Sequence, residues 1–237
     1  MRNGFGQLTR PAVSGVDLAR LRGNVAELAA SCQAWGTALA NLHTLSTRRS
    51  AAPLAPRPAV LNPRHLMPSL RDVARGSGYV TVLEAYESSP DLRAAASEVE
   101  DRWTEQHWIH GNLSASNVIV EQWPALWVSF VGLEGAGLGD PAWDLASAVD
   151  TIAWLSPRWR AMPQLLMDNL LQGYRRAGGP GRLYPAMQAV RALATALQVA
   201  GSEDESNPPQ GERADLFVEL ERARTYAARV GWLRAVA

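Results

Sequence analysis

Apolar positions along the chain follow two different periods, and the change between them divides the sequence. Over residues 17–46, Leu18, Leu21, Val25, Leu28, Cys32, Trp35, Leu39 and Leu42 recur three and four apart. That spacing places them on one helical face and predicts a single long helix. Gly23 and Gly36 weaken it, and Gly36 leaves room for a close-packed neighbour. Five prolines within 50–68 predict an irregular loop. Ser89-Pro90 reads as an N-cap followed by proline in the first helical turn, with Leu92, Ala95, Ala96, Val99 and Trp103 as the buried side.

The middle of the chain loses this period. Trp108-Ile109, residues 118–120 and residues 126–131 are short apolar runs between polar turns and predict small strands. Helical spacing returns at Asp140-Pro141, with Asp140 as the cap of a helix reaching Trp154. Ser156-Pro157 repeats the signal, for a helix to about Tyr174 that Gly178-Gly179-Pro180-Gly181 ends. Residues 182–199 and 211–230 supply two more helices, separated by the acidic loop 201–210. The fold class expected is α+β, predominantly helical, with a small central β element.

Composition narrows the function classes. Hydrophobic residues make up 47% and charged residues 19%, enough for a packed core. The formal net charge of zero argues against nucleic-acid or polybasic membrane surfaces. No apolar run approaches a membrane span, and the first ten residues contain no apolar leader stretch, so a cytoplasmic location is expected. Cys32 is the single cysteine, which excludes an intrachain disulfide and a cysteine-based metal cluster. All 23 basic residues are arginine. Chemistry that needs a lysine cannot run on this chain alone.

Candidate chemistry concentrates in two central segments. His110-Gly111-Asn112-Leu113-Ser114-Ala115-Ser116-Asn117 precedes one predicted strand, and a run from Leu133 and Glu134 to Gly139-Asp140-Pro141-Ala142-Trp143-Asp144-Leu145-Ala146 follows another. Loops that fix Asn, Asp and Gly between core elements often build sites. Together, in order and in spacing, they resemble the aminoglycoside phosphotransferase and choline-kinase-like family. That family carries a His-Gly-Asp-x-x-x-x-Asn loop and then an Ile-Asp segment leading to Gly-Asp-Pro-x-x-Asp-Leu-Ala. The segment Trp35 to His43 is similar to the family's helix that ends in Leu-His.

The resemblance implies a kinase-like C-terminal lobe over 17–237, with 1–16 a tail or hinge remnant and the N-terminal lobe absent. It also shows where this chain departs from the pattern. Asn112 stands at the position of the family's catalytic Asp; an amide hydrogen-bonds a hydroxyl but has neither charge nor useful basicity. Asn117 matches the metal-binding Asn. Counting back from Asp140, Gly132 takes the place of the metal-binding Asp and offers no carboxylate. The phosphate-anchoring lysine belongs to the missing lobe. Base, metal carboxylate and lysine are thus all wanting, and each contributes to phosphoryl transfer.

The catalytically degenerate positions are therefore Asn112, Asn117 and Gly132, and the residues expected near a retained cleft are His110, Ser114, Glu134, Asp140 and Asp144. Structural roles stand beside these: Asn112 and Asn117 as loop braces, His110 as a core histidine bonded to backbone, Asp140 as a helix cap, Asp144 as a support for the loop, His43 as a helix-end packing residue and His107 as a solvated strand-entry residue. No resident metal or cofactor is expected. The leading expectation is a pseudokinase-like binding or partner subunit, possibly in a biosynthetic pathway. A protein partner or second copy would cover the face left by the missing lobe, with Trp123 and Trp127 as candidate anchors. Two alternatives stay open: a phosphotransferase using ATP and Mg²⁺ only with a partner chain, and a small-molecule binder with a retained acidic cleft.

Overall fold

The computed structural model describes residues 14–45, 52–61, 78–122, 125–202 and 210–235. The loop within 50–68 is described only at 52–61, and the acidic loop 201–210 and Trp123 lie largely or wholly outside the described residues.

The chain enters through strand β1 (Val16–Asp17), not through a helix. Helix α1 runs from Val25 to His43, and Asn24 caps it. The Asn24 side chain accepts from the Ala26 and Glu27 amides, while Glu27 reaches back to the Asn24 amide. This capping box fixes the true start and corrects the predicted start at residue 17. Leu18 and Leu21 are buried as expected, but from the turn before the helix, and Val25 is 42% exposed. Their apolar spacing imitates a helix that the backbone does not form.

Helix α2 (Gly78–Ser88) has no counterpart in the sequence reading. Helix α3 (Pro90–Arg102) begins at the Ser89 cap, whose hydroxyl accepts from the Leu92 amide. Strands β2 (His107–Ile109), β3 (Val118–Glu121), β4 (Trp127–Phe130) and β5 (Gly137–Gly139) form two small antiparallel sheets. One has the order β1-β3-β4, with Val16 opposite Val120 and Val118 opposite Phe130. The other pairs β2 with β5, with His107 opposite Gly139 and Ile109 opposite Gly137. A Cβ at 137 would lie 2.5 Å from the Ala55 nitrogen, so glycine lets residues 53–55 run against this ribbon.

Helix α4 (Pro141–Trp159) passes through Ser156-Pro157, correcting the predicted helix start there. The Ser156 hydroxyl bonds back to the Ile152 carbonyl within the same helix. The helix ends on Arg160 in the left-handed region (φ 50°). Trp159 is buried, and its indole donates to the Leu21 carbonyl. Helices α5 (Pro163–Arg176), α6 (Pro185–Ser202) and α7 (Gln210–Ala235) complete the fold.

Two apolar clusters flank α4. Leu145, Ala148, Ile152 and Leu155 pack with α1, α5 and the three-stranded sheet. Trp143 and Ala146 pack with α3, α6 and α7. A helix buried on both sides in this way is the central post of the domain. Helices α1 and α5 meet at two glycines: a Cβ on Gly36 would lie 1.9 Å from the Leu170 carbonyl oxygen, and one on Gly173 would lie 2.0 Å from that of Gln33. No helix among the described residues is long and apolar enough to cross a membrane.

Candidate functional site

The two central segments fold into loops that hold each other. The His110–Asn117 loop leaves β2, and Gly111 takes φ +78° at its first turn. A Cβ there would strike the Gly135 carbonyl oxygen at 2.4 Å, so glycine is required both by the turn and by the second loop. Residues 115–117 form one 3-10 turn, Leu133–Gly135 another, and the Asn117 carbonyl accepts from the Val131 amide at 3.0 Å.

Asp144, from the first turn of α4, organises the loop from beneath. Its carboxylate accepts from the His110 amide at 2.6 Å and the Gly111 amide at 3.0 Å. The same group meets His43 Nε2 at 3.1 Å. His43 Nδ1 lies 2.8 Å from the Tyr174 hydroxyl, which accepts from the Gly181 amide. One protonation pattern satisfies all four groups: Tyr174 donates to Nδ1, and Nε2–H donates to Asp144. Burial pushes the Tyr174 hydroxyl well above the usual phenol range, which keeps it a neutral donor. His43 and Asp144 are both fully buried.

His110 is likewise fully buried. Its Nδ1 accepts from the Asn112 amide at 3.3 Å, so Nε2–H donates to the Val131 carbonyl at 2.8 Å. The ring stands edge-on to Phe130. Both nitrogens are engaged by backbone, which ties β2 to the end of β4. His107 is half-buried, not solvated, and its Nδ1 meets the His43 carbonyl. Asp140 caps α4 through the Ala142 amide and is buried; burial raises its carboxyl, and hydrogen bonds from Ala142 and Thr104 oppose that shift. Asp140 is thus a cap and not a cleft residue.

Asn112 is exposed and lines a cleft of about 670 Å³. Gly111, Gly135 and Trp143 form one side, Pro56 to Val60 and Tyr79 another, and Arg191, Leu197 and Gln198 from α6 the third. Trp143 is anchored by its indole donating to the Gly111 carbonyl at 3.0 Å. Among the described residues no carboxylate lines this cleft. The expected acidic cleft is corrected on that point, because Asp144 faces the loop backbone and Glu134 lies exposed on the neighbouring turn. Ser114 hydrogen-bonds Ser116 and lines a second cavity on the far side of the loop.

Asn117 and Gly132 are brought together. Asn117 Nδ2 donates to the Asn112 carbonyl at 2.8 Å. Gly132 occupies the left-handed region (φ 70°, ψ 45°), and a Cβ there would lie 2.8 Å from Asn117 Oδ1. The pair thus offers one amide oxygen where the resemblance calls for an amide and a carboxylate. These residues do not fit a Mg²⁺ site, because the hard cation takes carboxylate oxygens that neither position supplies. Among the described residues no group of three or more His, Cys, Asp or Glu side chains converges for a metal.

No local pattern marks Tyr174 or Arg191: packing of α1 against α5 brings Tyr174 to His43, and α6 carries Arg191 to the cleft wall.

Comparison with known proteins agrees with this architecture. The profile of the phosphotransferase enzyme family, APH, matches residues 5–193. The choline kinase LicA from Streptococcus pneumoniae is similar at a TM-score of 0.57 and 14% identity, over 91% of this chain and 68% of that one. A choline/ethanolamine kinase family protein from Mesorhizobium loti gives 0.53 and 18%, over 87% and 65%. An aminoglycoside-3'-phosphotransferase of type VIII gives 0.50 and 20%, over 78% and 66%. The chain therefore spans about two thirds of the length of these structures. No curated protein matches it. On the family match and the shared α+β kinase-like fold, the chain belongs to the APH phosphotransferase enzyme family.

Proposed function

We propose that this chain is a catalytically degenerate, pseudokinase-like member of the family that works by binding and does not transfer phosphate. The observation that carries the reading is the Asn117–Gly132 contact. The loop scaffold is intact, yet the position for a metal carboxylate is a glycine against the one remaining amide ligand. Asn112 adds a second loss, since it presents no basic group to the cleft. Binding in the 670 Å³ cleft is supported by its mixed wall of Trp143, Tyr79, Val60, Gln198 and Asn112. Calorimetric titration with ATP in the presence and absence of Mg²⁺ tests the proposal; saturable, Mg²⁺-dependent binding would remove it.

A protein partner or second copy is part of the same proposal. Trp127 is 66% exposed and lines a groove with Leu126 and α1. Sedimentation of the pure chain, alone and with proteins encoded beside it, measures this.

The intact loop favours a second reading. On that reading the Asp144 network keeps the loop in place for phosphate transfer once a partner chain supplies the missing groups. Activity gained by Asn112→Asp with Gly132→Asp in such a complex would support it.

A further inference from the structure

Helix α7 carries apolar residues on more than its buried side. Leu216, Leu220, Ala223, Ala227 and Val230 recur three and four apart and are buried in the core that α7 shares with α3 and α6. Phe217 and Val218 stand away from that side and are 61% and 53% exposed. A shallow hollow along the outward face is lined from Phe217 to Arg229 by α7 alone among the described residues. An exposed apolar group of this kind on a helix whose core face is already filled points to a contact with another molecule.

The charges on the outward face are ordered as well. Val218, Glu221, Thr225 and Arg229 are all exposed and follow at steps of three and four, so they form one stripe directly opposite the core face. Glu221 lies four residues before Thr225, and Arg229 lies four residues after it. Acid and base are therefore equidistant from the centre of the stripe and opposite in sign. Such a stripe is complementary to itself when run antiparallel. A two-fold axis at Thr225 brings Glu221 of each copy to Arg229 of the other, the reciprocal contact that an interface between two identical chains requires. A parallel pairing would set Glu221 against Glu221 and Arg229 against Arg229, and like charges so placed repel. Within one chain, Glu221 meets Arg224 at 2.7 Å, and Arg229 lies 5.6 Å from the Tyr226 ring. Exposed contacts of that sort contribute little and yield to a pair formed between chains.

We propose that two copies of this chain associate through an antiparallel α7–α7 seam with its two-fold axis at Thr225. Reciprocal Glu221–Arg229 pairs set the register. Phe217 and Val218 fall over the last turns of the other copy's helix, which runs to Ala235. The seam uses neither the 670 Å³ cleft nor the Trp127 groove, so it goes beyond the proposed function and holds whether or not the chain transfers phosphate. One helix per copy buries less than the roughly 1,200 Å² at which standard interfaces begin, so the association is weak and reversible.

Sedimentation velocity of the full chain from about 1 to 500 μM tests this, and a monomer–dimer equilibrium within that range is expected. Val218→Glu, Glu221→Arg and Arg229→Glu each weaken association about tenfold or more. Mixing the Glu221→Arg chain with the Arg229→Glu chain restores it as a heterodimer, because both clashes become opposite-charge pairs. Should a charge variant fail to fold by circular dichroism, crosslinking decides: Thr225→Cys is joined to its copy by a short bis-maleimide, and Cys32 is buried and does not compete. A chain that stays monomeric to the highest concentration, folded variants that associate like the unaltered chain, a mixture that does not restore association, or a Thr225→Cys chain that does not crosslink would overturn the proposal.

Discussion

A Cβ on Gly132 would stand 2.8 Å from the carboxamide oxygen of Asn117. The fold thus juxtaposes the two positions that the family pattern assigns to metal binding, and one of them has no side chain. The left-handed backbone at 132 is one that Asp and Asn tolerate better than most residues. Gly132→Asp therefore returns a carboxylate beside Asn117 at a strain of roughly 1–2 kcal/mol. The Asn112→Asp, Gly132→Asp double variant is expected to gain a Mg²⁺-dependent rise in melting temperature that the unaltered chain lacks. An equal Mg²⁺ response in both proteins would show that Gly132 is not what removes the metal site.

Asp144 holds three donors at once: the buried His110 amide and His43 Nε2, and the half-buried Gly111 amide. Asp144→Ala leaves them without an acceptor, at about 1–3 kcal/mol for each uncompensated group. A loss of at least about 3 kcal/mol in urea denaturation is expected, and Asp144→Asn should fall between. A loss near zero would show that the loop is held by other means.

The α1–α5 crossing depends on the absence of two side chains. At Gly36 a methyl group would stand 1.9 Å from backbone that cannot turn aside. Gly36→Ala must push the helices apart and is expected to cost about 3 kcal/mol, at the top of the overpacking range, despite the better helix propensity of alanine. Thermal unfolding measures it; a variant as stable as the parent would mean the helices cross farther apart.

Much of this fold could be read from local chemistry. The Ser89 and Asp140 caps, three short strands and the paired loops all announce themselves in sequence. The errors share a physical origin. Leu18 and Leu21 keep helical spacing with Leu28, but Gly23 and the Asn24 cap place the helix start between them. Ser156-Pro157 carries the residues of a helix start inside a helix, while the true start at Pro163 follows Met162, whose side chain makes no capping bond. The loop motifs were legible because their spacing is local. Arg191 and Asp150 were not, because their relation exists only once α4 and α6 pack.

Asp150 gives a pH signature with a definite sign. Burial raises its carboxyl from 3.8 to about 6, outweighing the pull of Arg222 and Arg191, while Glu219 reinforces the rise. A folded value above the unfolded one means that the folded state binds the proton more tightly. The contribution is fully present below the unfolded value and is lost as pH climbs from about 4 to about 6, by on the order of 2–3 kcal/mol. Asp150→Asn cannot titrate, so its stability relative to the unaltered chain should rise across that window. A flat or falling difference in melting temperature would contradict the burial argument.

On the proposed function, this phosphotransferase-family scaffold does not hold nucleotide and metal together. Isothermal calorimetry of the full chain with ATP, run with and without Mg²⁺, tests it most directly. No saturable heat that depends on Mg²⁺ is expected; micromolar ATP binding that appears only with Mg²⁺ would overturn the proposed function.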